Sequence, residues 1–325
     1  MRVMTSISAM LLLALSGLAA AAAPVPPAST AEASRLLDTL DPAAVAVIDR
    51  LAAERPDDPE VEVLRIRLLL TQGEGEQALE RATAAVRRWP QHAGLHTWLG
   101  NAYGHRIASA SMLAKASIGS KMNAAFERAL ELDPDQHEAR LGLLESALRT
   151  PALFGGSVAD AREHANALAL RSAAHGHYAR ARILSYEGEK GLAAQAYLAA
   201  WRAAPGQRRV RMAAGVALQE AGQWRQALAH YQAWVAEDPG AGDAWYQIGR
   251  IAALAGIERE AGAAALRTYL ELPLRPNWPA PQYAWHRLGQ ILAGQGDTAA
   301  ARAALERALA LDPKLKEARE ALSKL

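Results

Sequence analysis

The sequence contains no cysteine, and only two of its 325 residues are phenylalanine. Without cysteine there is no disulfide, no thiolate metal site and no attachment point for an N-terminal lipid. Charge of one sign is also missing: 36 Lys and Arg face 34 Asp and Glu, a formal net charge of +2. No Lys/Arg-rich block or interleaved aromatic patch supplies a local substitute, so nucleic acid is not the expected partner.

Catalytic signatures are absent too. There is no Gly-x-Ser-x-Gly elbow, phosphate-binding loop, dinucleotide fingerprint or His-Glu-x-x-His motif. The turns Gly73-Glu-Gly75 and Phe154-Gly-Gly156 lack the lysine or the preceding strand that a phosphate site needs. His92 with His96, and His175 with His177, have no third ligand at short spacing, so no metal site is expected. The expectation is a protein that is not an enzyme and carries no cofactor.

Long apolar runs are confined to the N-terminus. Residues 1–23 read as a secretory signal, with Arg2 as a minimal positive region, an apolar run from Ile7 to Leu18, and small residues from Ala19 to Ala23 for cleavage. The run falls short of the roughly 20 residues that span a bilayer, and Pro24, Pro26 and Pro27 follow it, so stable membrane insertion is not expected after cleavage. Residues 24–30 read as a short disordered leader. The expected location is outside the cytoplasm, periplasmic if the source is a Gram-negative bacterium.

What the sequence has in abundance is leucine, alanine and arginine in strings of good helix formers, which argues for helix throughout. Small residues and prolines repeat. Gly188, Gly222 and Gly256 are 34 apart, as are Ala193, Ala227 and Ala261, and Pro205, Pro239 and Pro273. The step to Gly296, Ala301 and Pro313 is 40, the excess lying around Leu274 to Pro281. Each unit reads as a helical hairpin: an apolar helix, a glycine turn, a second helix with a small residue at the contact, and a proline that ends it. One hairpin cannot bury its own apolar face, so neighbours must stack.

Trp245, Ile248 and Gly249 with Gly256, Ala261 and Pro273 resemble the tetratricopeptide repeat family. So do Trp285, Leu288, Gly289, Gly296, Ala301, Ala308 and Pro313, and Gly215, Ala227, Tyr231 and Pro239. Arg65, Ile66 and Thr268 depart from its pattern. The resemblance implies an all-α fold, an α-solenoid wound as a right-handed superhelix of about eight hairpins, and a protein or peptide partner. The units fall near 31–56, 59–90, 93–134, 137–173, 174–205, 208–239, 242–273 and 282–313, with 314–325 as a capping helix.

Two units break the pattern. Pro90 to Pro134 is 44, which adds ten residues in or near Gly104 to Met122 and predicts that both helices of the third hairpin are lengthened. In the fourth unit, Pro151-Ala-Leu-Phe154-Gly155-Gly156-Ser157 occupies the hairpin turn, with Ser157 and Asp160 as a helix start. Both insertions fall on one edge of a solenoid, where they either meet a partner or pack on each other.

In the resembled family the first helix of each hairpin lines the concave groove. Carried over by register, this places Asn101, His105, Tyr178, Arg182, Tyr186, Met212, Gln219, Tyr246, Arg250, Tyr283, His286 and Gln290 in the groove. The Tyr-x-x-x-Arg spacing at 178/182 and 246/250 puts an aromatic beside a cation on one helix face, suited to an acidic peptide. Alternatively these residues fill inter-repeat contacts and neutralise Glu138, Glu145 or Asp243 on the same surface. A scaffold for cell-envelope assembly is the leading expectation. A glycan-binding envelope protein that stacks sugars on Tyr178, Trp245 or Tyr283 is the alternative.

Overall fold

Polar caps and left-handed glycines cut the apolar pattern into helices. Ser29, Asp58, Ser157, Ser172 and Asp297 each accept a hydrogen bond from a first-turn N–H, the role that places such residues at helix starts. The computed structural model describes residues 29–275 and 278–325. The expected signal and most of the leader lie outside the described residues. Ser29 and Thr30 belong to the first helix rather than to the leader, because the Ser29 hydroxyl caps it at Glu32 N.

Among the described residues there are 17 α-helices and no strand. They pair as eight hairpins: α1 Thr30–Asp38 with α2 Ala43–Glu54, α3 Pro59–Gln72 with α4 Gly75–Arg88, α5 Ala93–Ser109 with α6 Met112–Leu132, α7 His137–Arg149 with α8 Val158–Ala169, α9 Ala173–Tyr186 with α10 Lys190–Ala203, α11 Arg208–Glu220 with α12 Trp224–Glu237, α13 Gly242–Ala255 with α14 Arg259–Glu271, and α15 Pro281–Gly294 with α16 Thr298–Leu311. The short helix α17, Lys316–Leu322, caps the last hairpin through Ala318 and Leu315, which pack with Leu305 and Ala308. No helix among the described residues is long and apolar enough to cross a membrane.

Each helix packs on the next, and odd-numbered helices also pack on one another (α3 on α5, α5 on α7, α7 on α9, α13 on α15), which makes them the inner layer of an α-solenoid. Close approach is bought with glycine. Gly215 faces the Tyr231 ring, Gly249 faces Leu266 and Gly289 faces Leu305; a Cβ at any of these would lie 2.2–2.7 Å from the neighbour. Phe126 on α6 is held on both sides, by Gly100 of α5 and Gly142 of α7, and joins the third hairpin to the fourth.

Two departures from the expected pattern have local causes. The third hairpin is lengthened unequally: α5 has 17 residues and α6 has 21, against 14 in helices such as α3 and α4. In the seventh hairpin the register slips by one. Ala261 is exposed, and Gly262 takes the buried contact, its absent Cβ leaving room for Ala252. Helix α13 runs one residue further in register than α11, so its three-residue turn begins at Gly256 and ends at Glu258, left-handed at φ 47; α14 therefore starts one place late and buries Leu266 and Tyr269 instead of Thr268. The departure at Thr268 is therefore a shift of frame rather than an altered contact.

Candidate functional site

The first helices of successive hairpins bring their charged and aromatic residues to a common inner surface, where most of them satisfy each other. Arg182 of α9 forms a two-pronged bond to the Glu145 carboxylate of α7, one arm at 2.7 Å, and reaches the Tyr197 hydroxyl at 3.4 Å. That bond to Glu145 holds the guanidinium pKa above its ordinary value. Arg209 of α11 spans to Glu138 of α7 at 2.9 Å, with its guanidinium 5.5 Å from the Tyr178 ring centroid. Tyr178 also meets Tyr197 edge to face at 5.5 Å, and burial pushes its phenol pKa up. Arg208 pairs with Asp243.

Of the two Tyr/Arg pairs, Arg182 is neutralised by Glu145, whereas Arg250 donates to the neutral Gln219 amide oxygen. The inner surface holds inter-repeat ion pairs of the second expected kind, but of the predicted residues only Arg182 makes one, with Glu145; Glu138 and Asp243 are met by Arg209 and Arg208. Three expected groove residues lie in the interior and require correction. Tyr246 is 7% exposed and packs edge to face on Tyr269 at 5.6 Å, because the buried Trp278 ring, lying on Tyr269 and over Gly242, closes that side. Gln219, 5% exposed, donates to the Tyr231 hydroxyl and to Gln247 and accepts from Arg250. His286, 4% exposed, leaves its Nε2 without a hydrogen-bond partner.

The remaining predicted positions divide in two. Half-buried Met212 accepts a long hydrogen bond from Tyr231, Asn101 donates to the carbonyl of Thr97, and Gln290 accepts from Arg287. Open to solvent are Tyr186, Tyr283 and His105, whose ring lies over Gly75 at the start of α4. Of the rings considered for sugar stacking, only Tyr283 is exposed; Trp245 is partly buried with its indole N–H on the Pro239 carbonyl.

At the hairpin-turn edge, Ala152–Phe154 forms a 3-10 turn that ends at left-handed Gly155, φ 92. Gly156 lies so close to the Thr150 carbonyl that a Cβ would sit 1.6 Å from it, and Ser157 then donates to Ala147 O and starts α8. Both glycines are required by this path. Leu153 points outward at 88% exposure. Among the described residues, the Ala152–Phe154 turn does not pack broadly on α5 or α6.

Residues 282–315 match a family model described as tetratricopeptide repeat, and residues 63–106 and 212–281 match a second model of the same description. The chain thus carries tetratricopeptide repeats. No curated protein matches its sequence. Solved structures with a similar fold include the human IFIT1 dimer with PPP-AAAA, at 14% identity and a TM-score of 0.55, covering 91% of this chain and 75% of that one. Another is the APC/C hetero-tetramer Cut9–Hcn1, at 16% identity and 0.54, covering 86% of this chain; the present chain spans only 52% of its partner in that match. The pilF protein of Pseudomonas aeruginosa matches at 14% and 0.50, over 72% of this chain and 97% of that one. Identities this low establish a shared fold and not a shared ligand.

A tetratricopeptide repeat protein of this kind is a protein–protein interaction scaffold. Within its repeats, sequence reasoning passed over Arg209 and Arg67. Arg67 binds Ser34 and Asp38 at 2.7 Å and covers the Trp98 ring at 5.1 Å. Both occupy groove positions by the same register that selected Tyr178 and Arg182, so the signal was present in the spacing.

Proposed function

We propose that this scaffold is exported and works in cell-envelope assembly, with its protein partner docking on the hairpin-turn edge around Leu153 and on the open part of the inner surface at Tyr186 and Tyr283. Export rests on the charged start, apolar run and small-residue stretch of residues 1–23. The observation that carries the docking site is Leu153, 88% exposed on a turn shaped by two obligatory glycines. A large apolar side chain fixed outward on a built turn suits the buried centre of an interface. The inner surface contributes less, because its arginines are already paired.

The test is capture from envelope extracts with the wild type and Leu153→Ser, alongside thermal unfolding of both. A partner that is lost from the variant while the midpoint holds supports the site. Equal recovery rejects it. Export is tested separately, by fusing residues 1–30 to a reporter that is active only outside the cytoplasm; an inactive fusion rejects that part of the reading.

A further inference from the structure

The turn between α1 and α2, in the first hairpin, touches the segment that follows the seventh. Leu40 is left-handed, with φ 55, and in this conformation its carbonyl accepts a hydrogen bond from Arg275 Nη1 at 3.0 Å, across 235 residues. Arg275 sits in the extra segment between α14 and α15 that breaks the 34-residue period. Its guanidinium lies 5.3 Å from the Trp278 ring centroid, and Trp278, only 7% exposed, is wedged against Gly242 and Tyr269. Trp278 is thus seated in the seventh hairpin, and the Arg275 cation lies beside it. Beside the contact runs a cleft of about 380 Å³, with Thr39 and Asp41 on one wall and Gly206, Trp234 and Asp238 on the other.

The contact is narrow. Apart from it, α1 and α2 pack broadly only on each other and on α3. A left-handed leucine is strained, and such backbone persists only where its surroundings hold it. Here the strained residue presents the acceptor for Arg275.

We propose that the first hairpin is a latch that closes the solenoid on itself, with Leu40 as the catch and Arg275 of the inserted segment as the hook. Closed, the latch sets the curvature of the whole stack and narrows access to the inner surface. Few contacts hold it, so it opens without unfolding any hairpin. The latch is a property of the chain alone and holds whatever partner the scaffold takes.

Because the chain has no cysteine, Val45→Cys and Glu271→Cys, both at exposed positions, give a doubly spin-labelled protein without background. Electron–electron double resonance on this full chain is expected to give one narrow distance distribution. Arg275→Ala removes the hook, and Leu40→Pro removes the catch, since proline cannot take a positive φ. Each is expected to lengthen and broaden the distribution at unchanged helix content by circular dichroism. If one variant loses helix, the other decides. A broad distribution in the parent, or distributions as narrow as the parent's in the folded variants, overturns the latch.

Discussion

Arg182 and Glu145 lie on neighbouring first helices, 37 residues apart, and are joined by a two-pronged bond that spans the junction of the fourth and fifth hairpins. Both side chains are a little over one quarter exposed, so solvent screens the pair and its worth is modest. Arg182→Met and Glu145→Gln should each lower unfolding stability by about 1 kcal/mol, and the double variant by less than the sum. Urea denaturation of the four proteins measures this coupling. Strict additivity would mean that the bond contributes nothing.

Phe126 bridges the third and fourth hairpins by filling the space that Gly100 and Gly142 leave. Gly142→Ala would set a Cβ 2.4 Å from the ring and force it to move, a loss of roughly 1–3 kcal/mol by overpacking. Phe126→Ala empties a fully buried site and should lose about 3–5 kcal/mol. If the two faults share this one contact, adding Gly142→Ala to Phe126→Ala should do little further harm. Equal extra damage in both backgrounds, read from denaturation midpoints, would place the ring elsewhere.

The eight hairpins and the capping helix were legible because their signal is repeated: glycine turns, small contact residues and terminal prolines recur in one frame. The inner surface was less legible. A register assigns a residue to a face, but it does not say whether a partner on the next repeat consumes its charge. Arg182 was lost to Glu145 for this reason, while Tyr246, Gln219 and His286 went to the interior because neighbouring side chains cover that face. The Arg275–Leu40 contact had no sequence signal, since nothing local links positions 235 residues apart.

Glu258 offers a local test of the frame shift in the seventh hairpin. It is left-handed without being glycine, which is strained for an L-residue. Glu258→Gly should relieve that strain and raise stability by about 0.5–1 kcal/mol, after allowing for the looser unfolded chain. Chemical denaturation decides it. A destabilised variant would show that the turn follows another path and that Ala261, not Gly262, is the buried contact.

His286 is buried, and its Nε2 has no hydrogen-bond partner. Burial, with help from nearby Arg287, lowers its pKa below the ordinary 6.5, and burial likewise lowers those of His164, His175 and His230. The unfolded chain therefore binds protons at these positions at higher pH than the folded chain does. Stability should be level well above pH 6.5, fall as pH drops through that value, and stop falling from this cause once the folded histidines also protonate. His286→Leu removes an unpaired buried polar atom and one such proton site. It should gain about 1 kcal/mol near neutral pH and show a shallower decline toward acid, both read from urea midpoints across the range. A variant with the wild-type slope would show that His286 is already open to water and protonates alike in both states.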